Sequence, residues 1–380
     1  MIRHLYLHVP FCSGKCIYCG FYSVVRPPAE RERYAAALVR ELDHRATALS
    51  APLTTLYLGG GTPALLGVGG FHRLATALRT RGLLEASVEW TVELHPGSCE
   101  PAFLEALRAV GVNRISLGAQ SFDDAVLRRL GRRHDAAAVD RAIGAVRQTG
   151  FSDYGLDLIA GLPGVTEASW RSSLARAVDL GCTHLSVYAL GVEDGTVLRR
   201  QVDQGLILPG SDAQLDALAT AESMLAAAGL ERYEISNYAR PGRACRHNLA
   251  VWRGEDYLGL GPSAASRMGR RRWTNRPDLD VWREAVATGR KPPRVSEEEL
   301  SAEEDAVERF VFAVRLAEGV SPAGFARSHP AALPRVAAWE DCLDRLAKTG
   351  IVERLAAPEG RWRLTARGRE VADAVIRELL

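Results

Sequence analysis

Three cysteines near the N-terminus, Cys12, Cys16 and Cys19, follow the spacing C-x3-C-x2-C. Thiolates are the usual protein ligands of iron-sulfur clusters, and three of them in one short loop can bind a single cluster. A four-iron cubane held by three thiolates leaves one iron uncovered, where a further ligand can bind and react. A redox-active cysteine pair or a zinc site is the alternative, but structural zinc takes four protein ligands, and no second CxxC or histidine pair lies nearby. The spacing therefore favours a 4Fe-4S cluster.

A second group of residues occurs where short apolar segments end. Gly59, Gly60 and Gly61 follow one such segment, and a turn without side chains lets a ligand approach the backbone closely. A plain tight turn explains these glycines equally well. Each of the other members could be a capping or solvent-facing residue, but together they offer acceptors and a guanidinium to a ligand with an ammonium, a carboxylate and a ribose diol. These other members are Glu93, Gln120, Asp157 and Arg132.

Alternating strand and helix patterns position both groups. A short strand over 5–9 leads into the cysteine loop, and an amphipathic helix over 30–49 follows it. The pattern repeats at a spacing of about 30 to 50 residues, which suits right-handed parallel crossovers. We therefore expect an α/β fold with a partial (β/α)6 barrel of the TIM type, whose functional residues lie at the carboxyl ends of the strands. The later strands are predicted at 54–58, 88–94, 113–119, 154–160 and 184–190, and the later helices at 101–110, 135–149 and 166–180.

This alternation ends after residue 190. A helix over 213–228 and an added strand over 233–238 are predicted, and residues 240–276 then contain nine arginines against two acids. We interpret this arginine patch as either a solvated surface or a docking site for an anionic ligand such as the propionates of a tetrapyrrole. Within the patch, His247 and Trp252 could ligate iron and stack on a porphyrin. A lone histidine, however, is more often a hydrogen-bonded structural residue.

A C-terminal lobe is predicted after a linker at Pro292 and Pro293. Ser301 and Glu304 have the spacing of a capping box for a helix that runs to about residue 317. The lobe resembles a winged-helix module, but a packing role is favoured over nucleic-acid binding because 365–380 carries mixed charge. Its further elements are a helix near 335–348, a hairpin of 351–354 with 362–364, and a helix over 366–379. The predicted parts of the chain are a core barrel at 1–230, an extension at 231–292 and the winged-helix-like domain at 293–380.

The composition limits the classes of function. The chain has 48 Lys and Arg residues against 46 Asp and Glu, a balance that gives no sign of a nucleic-acid partner, while peripheral contact with a membrane stays open. Seven cysteines, of which three are clustered, favour a reducing cytoplasm over a disulfide framework. No apolar run reaches the roughly 18 residues of a membrane span. The N-terminus shows no secretory leader, so we expect a cytoplasmic protein.

Several rare strings resemble the family of oxygen-independent coproporphyrinogen III oxidases and their haem-chaperone relatives, a branch of the radical S-adenosylmethionine (SAM) superfamily. The resemblance extends over the entire chain, in sequence and in order. Its strings are Tyr6-Leu7-His8-Val9-Pro10-Phe11-Cys12, Gly59-Gly60-Gly61-Thr62-Pro63, Glu93-Leu94-His95-Pro96-Gly97, Arg114-Ile115-Ser116-Leu117-Gly118-Ala119-Gln120-Ser121-Phe122 and Leu156-Asp157-Leu158-Ile159-Ala160-Gly161-Leu162-Pro163.

This resemblance implies the cofactors. Cys12, Cys16 and Cys19 would hold a 4Fe-4S cluster, and SAM would chelate its uncovered iron. The family places the SAM site at Tyr6, Tyr18, Gly60, Gly61, Thr62, Glu93, Gln120, Arg132, Asp157 and Ala189.

Two features distinguish the oxidases from the chaperones within this family. The oxidases have a further cysteine two positions after the third cluster ligand, where this chain has Phe21, and a long extension ahead of the cluster, where only 11 residues precede Cys12. The chaperones share an H-N-x-x-x-W string with this chain, formed by His247, Asn248 and Trp252, which is thought to serve haem binding. The resemblance therefore favours a chaperone.

The chain departs from the family pattern at two positions. Val251 stands where the family commonly has Tyr, and Ala265 stands where it has a second His, so His247 carries more of the haem hypothesis. The expected partners are haem, an acceptor apo-haemoprotein and an electron donor of flavodoxin-like or reduced-nicotinamide type. Oxidative decarboxylation of coproporphyrinogen III and radical methylation or cyclopropanation remain as alternatives, so the sequence leaves open whether the chain is an enzyme.

Overall fold

A sheet of 12 strands forms the centre of the protein in a computed structural model, which describes residues 1–356 and 360–380. Six of the strands run parallel and lie side by side in sequence order, each hydrogen-bonded to the next. This order confirms the repeating strand-helix pattern that the sequence predicts. The six strands are β1 (His4–Val9), β2 (Thr55–Gly60), β3 (Glu89–Leu94), β4 (Arg114–Gln120), β5 (Tyr154–Ala160) and β6 (His184–Ala189).

Helices connect the six strands and bury apolar side chains against them. Leu38 and Leu74, for example, belong to the same core cluster as Leu5 and Leu56 of the sheet. Aspartates begin two of these helices by accepting backbone N–H bonds, as Asp135 does from the N–H of Ala138. The helices are α1 (Pro28–Arg45), α2 (Gly67–Arg79), α3 (Pro101–Ala109), α4 (Asp124–Arg129), α5 (Ala136–Gln148) and α6 (Glu167–Asp179).

The sheet continues beyond β6 into the second half of the chain. Tyr257–Leu260 (β9) pairs in parallel with β1, so a late segment covers the outer edge of the strand that leads to the cysteines. The strand predicted over 233–238 is wrong for most of its length, because only Asn237–Ala239 (β8) pairs with β6. The other elements are α7 (Val197–Asp203), α8 (Ser211–Ala227), β7 (Glu231–Arg232), α9 (Arg246–Trp252), β10 (Ala265–Met268), β11 (Arg271–Asn275), α10 (Leu279–Ala287) and β12 (Arg294–Glu299).

The sheet forms an open arc. Its end strands are β12 and β7, and in the described parts of the chain they pair with different neighbours and not with each other. The α/β fold with a partial barrel is therefore confirmed, with antiparallel strands added at both ends of the parallel segment.

The C-terminal lobe has its own hydrophobic core. Phe310 and Trp339 stack at its centre with ring centroids 3.7 Å apart. The capping box of Ser301 and Glu304 is formed as predicted, and the predicted final helix is interrupted at Val371. The elements are α11 (Ala302–Ala313), α12 (Pro322–Ser328), α13 (Val336–Lys348), β13 (Val352–Arg354), β14 (Trp362–Leu364), α14 (Ala366–Glu370) and α15 (Ala372–Leu379).

Pro292 and Pro293, predicted as a linker, precede a strand of the main sheet. The first hydrophobic cluster extends to Val286 and the second begins at Ala306. The three-part division of the chain at residues 230 and 292 stays a prediction.

Candidate cluster and cofactor site

The three clustered cysteines lie in the loop that follows β1, at its carboxyl end. Two backbone hydrogen bonds hold this loop against the glycine turn after β2: Gly61 N donates to Val9 O at 2.8 Å, and Thr62 N donates to Phe11 O at 2.6 Å. The Thr62 hydroxyl also lies 3.6 Å from Cys12 Sγ. The two segments that the sequence selected independently are therefore built into one unit.

The thiols are partly exposed and interact with one another. Burial raises the pKa of Cys19, and the neighbouring Cys16 and Cys12 raise it further. The Arg132 guanidinium donates to Cys16 Sγ at 3.6 Å and so offers a positive charge to the thiolate form. Three thiols at one opening beside a cation suit an iron-sulfur cluster.

Single metal ions and clusters differ in what they require. In residues 1–356 and 360–380, no three His, Cys, Asp or Glu side chains are arranged to hold a single metal ion. That observation does not bear on a cubane, whose four irons hold their thiolate ligands farther apart.

The glycine turn is required by close packing on both sides. A Cβ on Gly59 would lie 2.8 Å from Glu93 Oε1, and a Cβ on Gly61 would lie 2.5 Å from the carbonyl oxygen of Phe11. Gly60 has a φ of 105°, in the region that glycine tolerates best. The turn is therefore tightly packed, and its backbone groups carry no side chains that would keep a ligand away. A tight turn and a ligand-binding turn, the two interpretations of the sequence, are compatible with each other.

Two carboxylates lie inside the arc of strands. Glu93 accepts hydrogen bonds from Tyr57 Oη at 2.8 Å and from Gly60 N at 3.1 Å, and Asp157 accepts one from Ser116 Oγ at 3.2 Å. Burial raises the pKa of Glu93 to about 7, and the charge of Asp157 adds to the shift. Burial likewise raises the pKa of Asp157. Such a pair favours a bound cation, because a positive charge relieves the cost of ionising both groups.

Gln120 and Arg132 stand at the end of β4. Gln120 has a φ of 69°, and the register with β5 shifts between Gly118 and Gln120. Arg132 donates to the carbonyl of Gly118 as well as to Cys16. The Arg132 guanidinium therefore connects the irregular end of β4 with the cysteine loop.

The remaining predicted cofactor residues lie on β1, in the cysteine loop and at the end of β6. Tyr6 on β1 contacts His8, with Oη 3.2 Å from Nδ1. Tyr18 lies in the cysteine loop, where burial raises its pKa. Ala189 ends β6 and is exposed there.

Sequence reasoning missed Tyr57 and Ser116, which bind the two carboxylates. Both side chains face the carboxylates, on the same side of the strands as a Cβ added at Gly59 or Gly118, two residues later, would lie. The alternation of side chains along a strand could have identified them, since residues i and i+2 share a face.

The haem candidates lie on α9, at the opposite end of β2 from the glycine turn. His247 is 6% exposed, and its Nδ1 is 2.8 Å from the hydroxyl of Thr55, the first residue of β2. Burial, together with a smaller contribution from nearby His4, lowers the pKa of His247 to about 3. Gly60 lies five residues along the strand from Thr55, which corresponds to a distance of roughly 16 Å. His247 therefore lies well away from the cysteine loop.

The other two residues of the H-N-x-x-x-W string point elsewhere. Asn248 Nδ2 lies 3.5 Å from Tyr233 Oη. Trp252 packs edge-to-face on Phe312 of the lobe at 5.9 Å, and the Arg315 guanidinium lies 5.0 Å from its ring centroid. His247 thus contacts the sheet and Trp252 contacts the lobe, so the string links the two parts of the protein.

The arginine patch is charge-compensated, which contradicts its interpretation as a free anion-docking surface. Six of its nine arginines lie within 4.0 Å of a carboxylate. Most of these acids come from residues 297–318, which lie outside the arginine-rich segment 240–276. The pairs are Arg243–Asp153, Arg253–Glu318, Arg267–Asp305, Arg267–Glu308, Arg271–Glu297, Arg272–Glu298, Arg272–Glu308 and Arg276–Asp278.

Comparison with known proteins agrees with this architecture. Residues 6–177 match the Radical SAM superfamily model, which implies a 4Fe-4S cluster and SAM as cofactors. "Heme chaperone HemW" of Mycobacterium tuberculosis is 37% identical, over 99% of this chain and 94% of the relative. This chain belongs to the HemW family. The HemW of Escherichia coli is also 37% identical, over 70% of each chain.

A solved structure shows the same overall fold. The radical SAM enzyme coproporphyrinogen III oxidase (HemN) from Escherichia coli superposes with a TM-score of 0.84 at 27% identity, over 99% of this chain and 89% of that one. None of the described helices of this HemW-family chain combines the length and apolar character that crossing a membrane requires.

Proposed function

We propose that this protein is a haem chaperone, which binds haem and transfers it to an acceptor apo-haemoprotein in the cytoplasm. The observation that carries the proposal is the 37% identity, over nearly the full length of both chains, to relatives named heme chaperone HemW. Phe21 supports it, because the family's oxidases have cysteine at this position. The Phe21 side chain is 66% exposed beside the cluster loop.

Cys12, Cys16 and Cys19 hold the 4Fe-4S cluster in this proposal. The support is chemical, since three thiols share one opening with the Arg132 guanidinium. When bound, the cluster supplies an electron-transfer centre next to SAM. An electron donor of flavodoxin-like or reduced-nicotinamide type reduces it.

Exchangeable SAM occupies the opening beside the cluster. Glu93 and Asp157 provide buried carboxylates for its ammonium and ribose hydroxyls, and Arg132 provides a guanidinium for its carboxylate. Gly60, Gly61 and Thr62 let backbone groups approach it. Tyr6, Tyr18, Gln120 and Ala189 complete the wall.

His247 ligates the haem iron in this proposal. Its ring is neutral, as iron ligation requires. Because only 6% of this residue is exposed, the lobe has to move away from α9 before a porphyrin reaches its Nε2, while α9 keeps its contact with β2. We therefore expect haem binding to be slow compared with diffusion, and to be coupled to displacement of Trp252 from the lobe.

The test is anaerobic reconstitution of the cluster, followed by haem titration with and without SAM. We expect the wild-type protein to bind haem and His247→Ala to bind it more weakly. His184→Ala is the matched control, since His184 is also buried in the arc and contacts Tyr233 at 2.8 Å. An unchanged titration of His247→Ala would remove this residue from the haem site.

Oxidative decarboxylation of coproporphyrinogen III is the competing function, favoured by the similarity to the HemN structure. Incubating the reduced, SAM-loaded protein with this substrate distinguishes the two. Protoporphyrinogen formation would establish the enzyme, whereas SAM cleavage without product would exclude it.

A further inference from the structure

A chain of hydrogen bonds runs from the protein surface to His247. Glu255 Oε2 lies 3.0 Å from His4 Nε2, His4 Nδ1 lies 2.9 Å from Thr55 Oγ1, and that hydroxyl lies 2.8 Å from His247 Nδ1. The Glu255 side chain is 47% exposed, while His4, Thr55 and His247 are buried. The four residues come from three separate parts of the sequence.

The shared hydroxyl restricts where the protons lie. The Thr55 hydroxyl has one proton to donate, so at most one of its two histidine neighbours can accept a hydrogen bond from it. The Glu255 carboxylate accepts from Nε2–H of His4, which leaves Nδ1 of a neutral His4 as an acceptor. Thr55 therefore donates to His4 and accepts from Nδ1–H of His247.

The opposite direction is unfavourable in this setting. It requires His4 to carry protons on both nitrogens, which places a positive charge on a side chain that is 5% exposed. The ring of His247 lies 6.3 Å from that of His4.

We propose that Glu255, His4 and Thr55 form a relay that fixes His247 in its Nδ1–H tautomer and so presents the lone pair of Nε2 to the haem iron. Within the described residues, Nε2 of His247 forms no hydrogen bond, so it is free to act as a ligand. Histidines that bind metals usually donate their other N–H to a carboxylate or another acceptor, which makes them more basic. Through these hydrogen bonds the Glu255 carboxylate, at the surface, makes the buried ring of His247 more basic. The inference rests on the proposed haem site.

Replacing Thr55 tests the relay at its centre. Thr55→Val keeps the shape of the side chain and removes the hydroxyl, so we expect haem affinity to fall by about 10- to 100-fold, the usual effect of losing such a partner. The iron–histidine stretching frequency of the ferrous complex, measured by resonance Raman, should also fall. Thr55→Ser keeps the hydroxyl and should retain both wild-type values.

Glu255→Gln tests the same relay from the surface, where folding is not at risk. We expect a smaller loss of affinity and a downward shift of the stretching frequency. Glu284→Gln is the matched control, because its side chain is exposed and pairs with Arg290 instead of a histidine. Cluster content and SAM binding, measured on each haem-free variant, should be unchanged.

The outcomes separate the relay from the haem site. Loss of haem binding in His247→Ala, with wild-type affinity and frequency in both Thr55→Val and Glu255→Gln, would overturn the relay and leave the site in place. Wild-type haem binding in His247→Ala would instead refute the site, and the relay with it. Graded losses in Thr55→Val and Glu255→Gln, with recovery in Thr55→Ser, would support the relay.

Discussion

Buried carboxylates are the residues on which the proposed SAM site depends most directly. Glu93 and Asp157 lie inside the arc, and burial raises the pKa of both. Burying two acids costs free energy unless something compensates them. A positively charged ligand bound between the strand ends, as proposed for SAM, would provide that compensation.

Glu93→Gln should weaken SAM binding. The amide keeps the size of the side chain but loses the negative charge, and a hydrogen bond to a charged group is worth about 2 kcal/mol, or roughly thirtyfold in affinity. Equilibrium dialysis of the reconstituted protein measures this. Glu41→Gln is the control, because Glu41 is a more deeply buried carboxylate that accepts from Gly261 N and Trp282 Nε1 instead of from the glycine turn. Equal SAM affinity in wild type and Glu93→Gln would contradict the assignment.

Glu41 also predicts a dependence of stability on pH. Burial raises its pKa to about 7, so the folded protein retains a proton that the unfolded chain has already lost. Stability should therefore fall as pH rises from about 4.5 to about 7, by about 3 kcal/mol for a group with this shift. Urea unfolding at several pH values should show a flatter profile for Glu41→Gln than for wild type. Parallel profiles would show that Glu41 ionises normally in the folded state.

Residue types and spacing alone identified the three cysteines, Glu93 and Asp157. The cysteines follow β1 and Glu93 lies next to the end of β3, as predicted, whereas Asp157 was expected at the end of its strand and lies in the middle of β5. The contact between Thr55 and His247 could not be predicted in this way, because it joins segments about 190 residues apart and depends on how α9 packs.

At the scale of elements, the glycine turn and α9 have the largest consequences. The turn joins the cysteine loop to β2, and α9 joins the sheet to the lobe. Sequence patterns gave the six parallel strands with boundaries close to those observed. They missed α2, whose first turn is rich in glycine and hides the helical period, and they missed β9 to β12, whose pairing is set by partners elsewhere in the chain.

Gly61→Ala should disturb the cluster site. Its Cβ would lie 2.5 Å from the Phe11 carbonyl and 2.8 Å from that of Val9, both of them backbone atoms that cannot rotate away. We expect a loss of stability of about 1–3 kcal/mol and a lower yield of cluster, measured by iron content and absorbance.

Gly69→Ala provides the control for this substitution. Gly69 lies in α2 with open space around the added methyl group, so this variant should be as stable as wild type or more stable, by up to about 1 kcal/mol. Full cluster yield in Gly61→Ala would show that the turn and the cysteine loop can separate.

At the scale of the whole molecule, ion pairs connect the lobe to the sheet. Arg267 of β10 is 4% exposed and binds Asp305 and Glu308 of α11. Arg309 of the same helix reaches back to Asp256 at 3.5 Å. The arginine-rich segment therefore holds the two hydrophobic cores together, a function that its composition alone concealed.

Arg267→Met should destabilise the protein by about 1.5–3 kcal/mol, because it removes one charged hydrogen-bond partner from two partly buried carboxylates, which keep Arg309 and Arg272. Arg271→Met is the matched control, since Arg271 is 43% exposed in its pair with Glu297 and should cost about 1 kcal/mol or less. Urea unfolding followed by tryptophan fluorescence compares them. Similar losses of unfolding free energy in both variants would mean that the burial of Arg267 does not increase its contribution to stability.

The pairing of β1 with β9 has a consequence for synthesis of the protein on the ribosome. β2 is made within about 50 residues of β1, but β9 emerges about 200 residues after that. At roughly 5–20 residues per second, the outer edge of β1 waits roughly 10 to 40 seconds for its partner. An uncovered strand edge is a template for pairing with other chains. The segment that leads to the cysteines is therefore exposed to aggregation during synthesis, and translation beyond residue 260 ends that exposure.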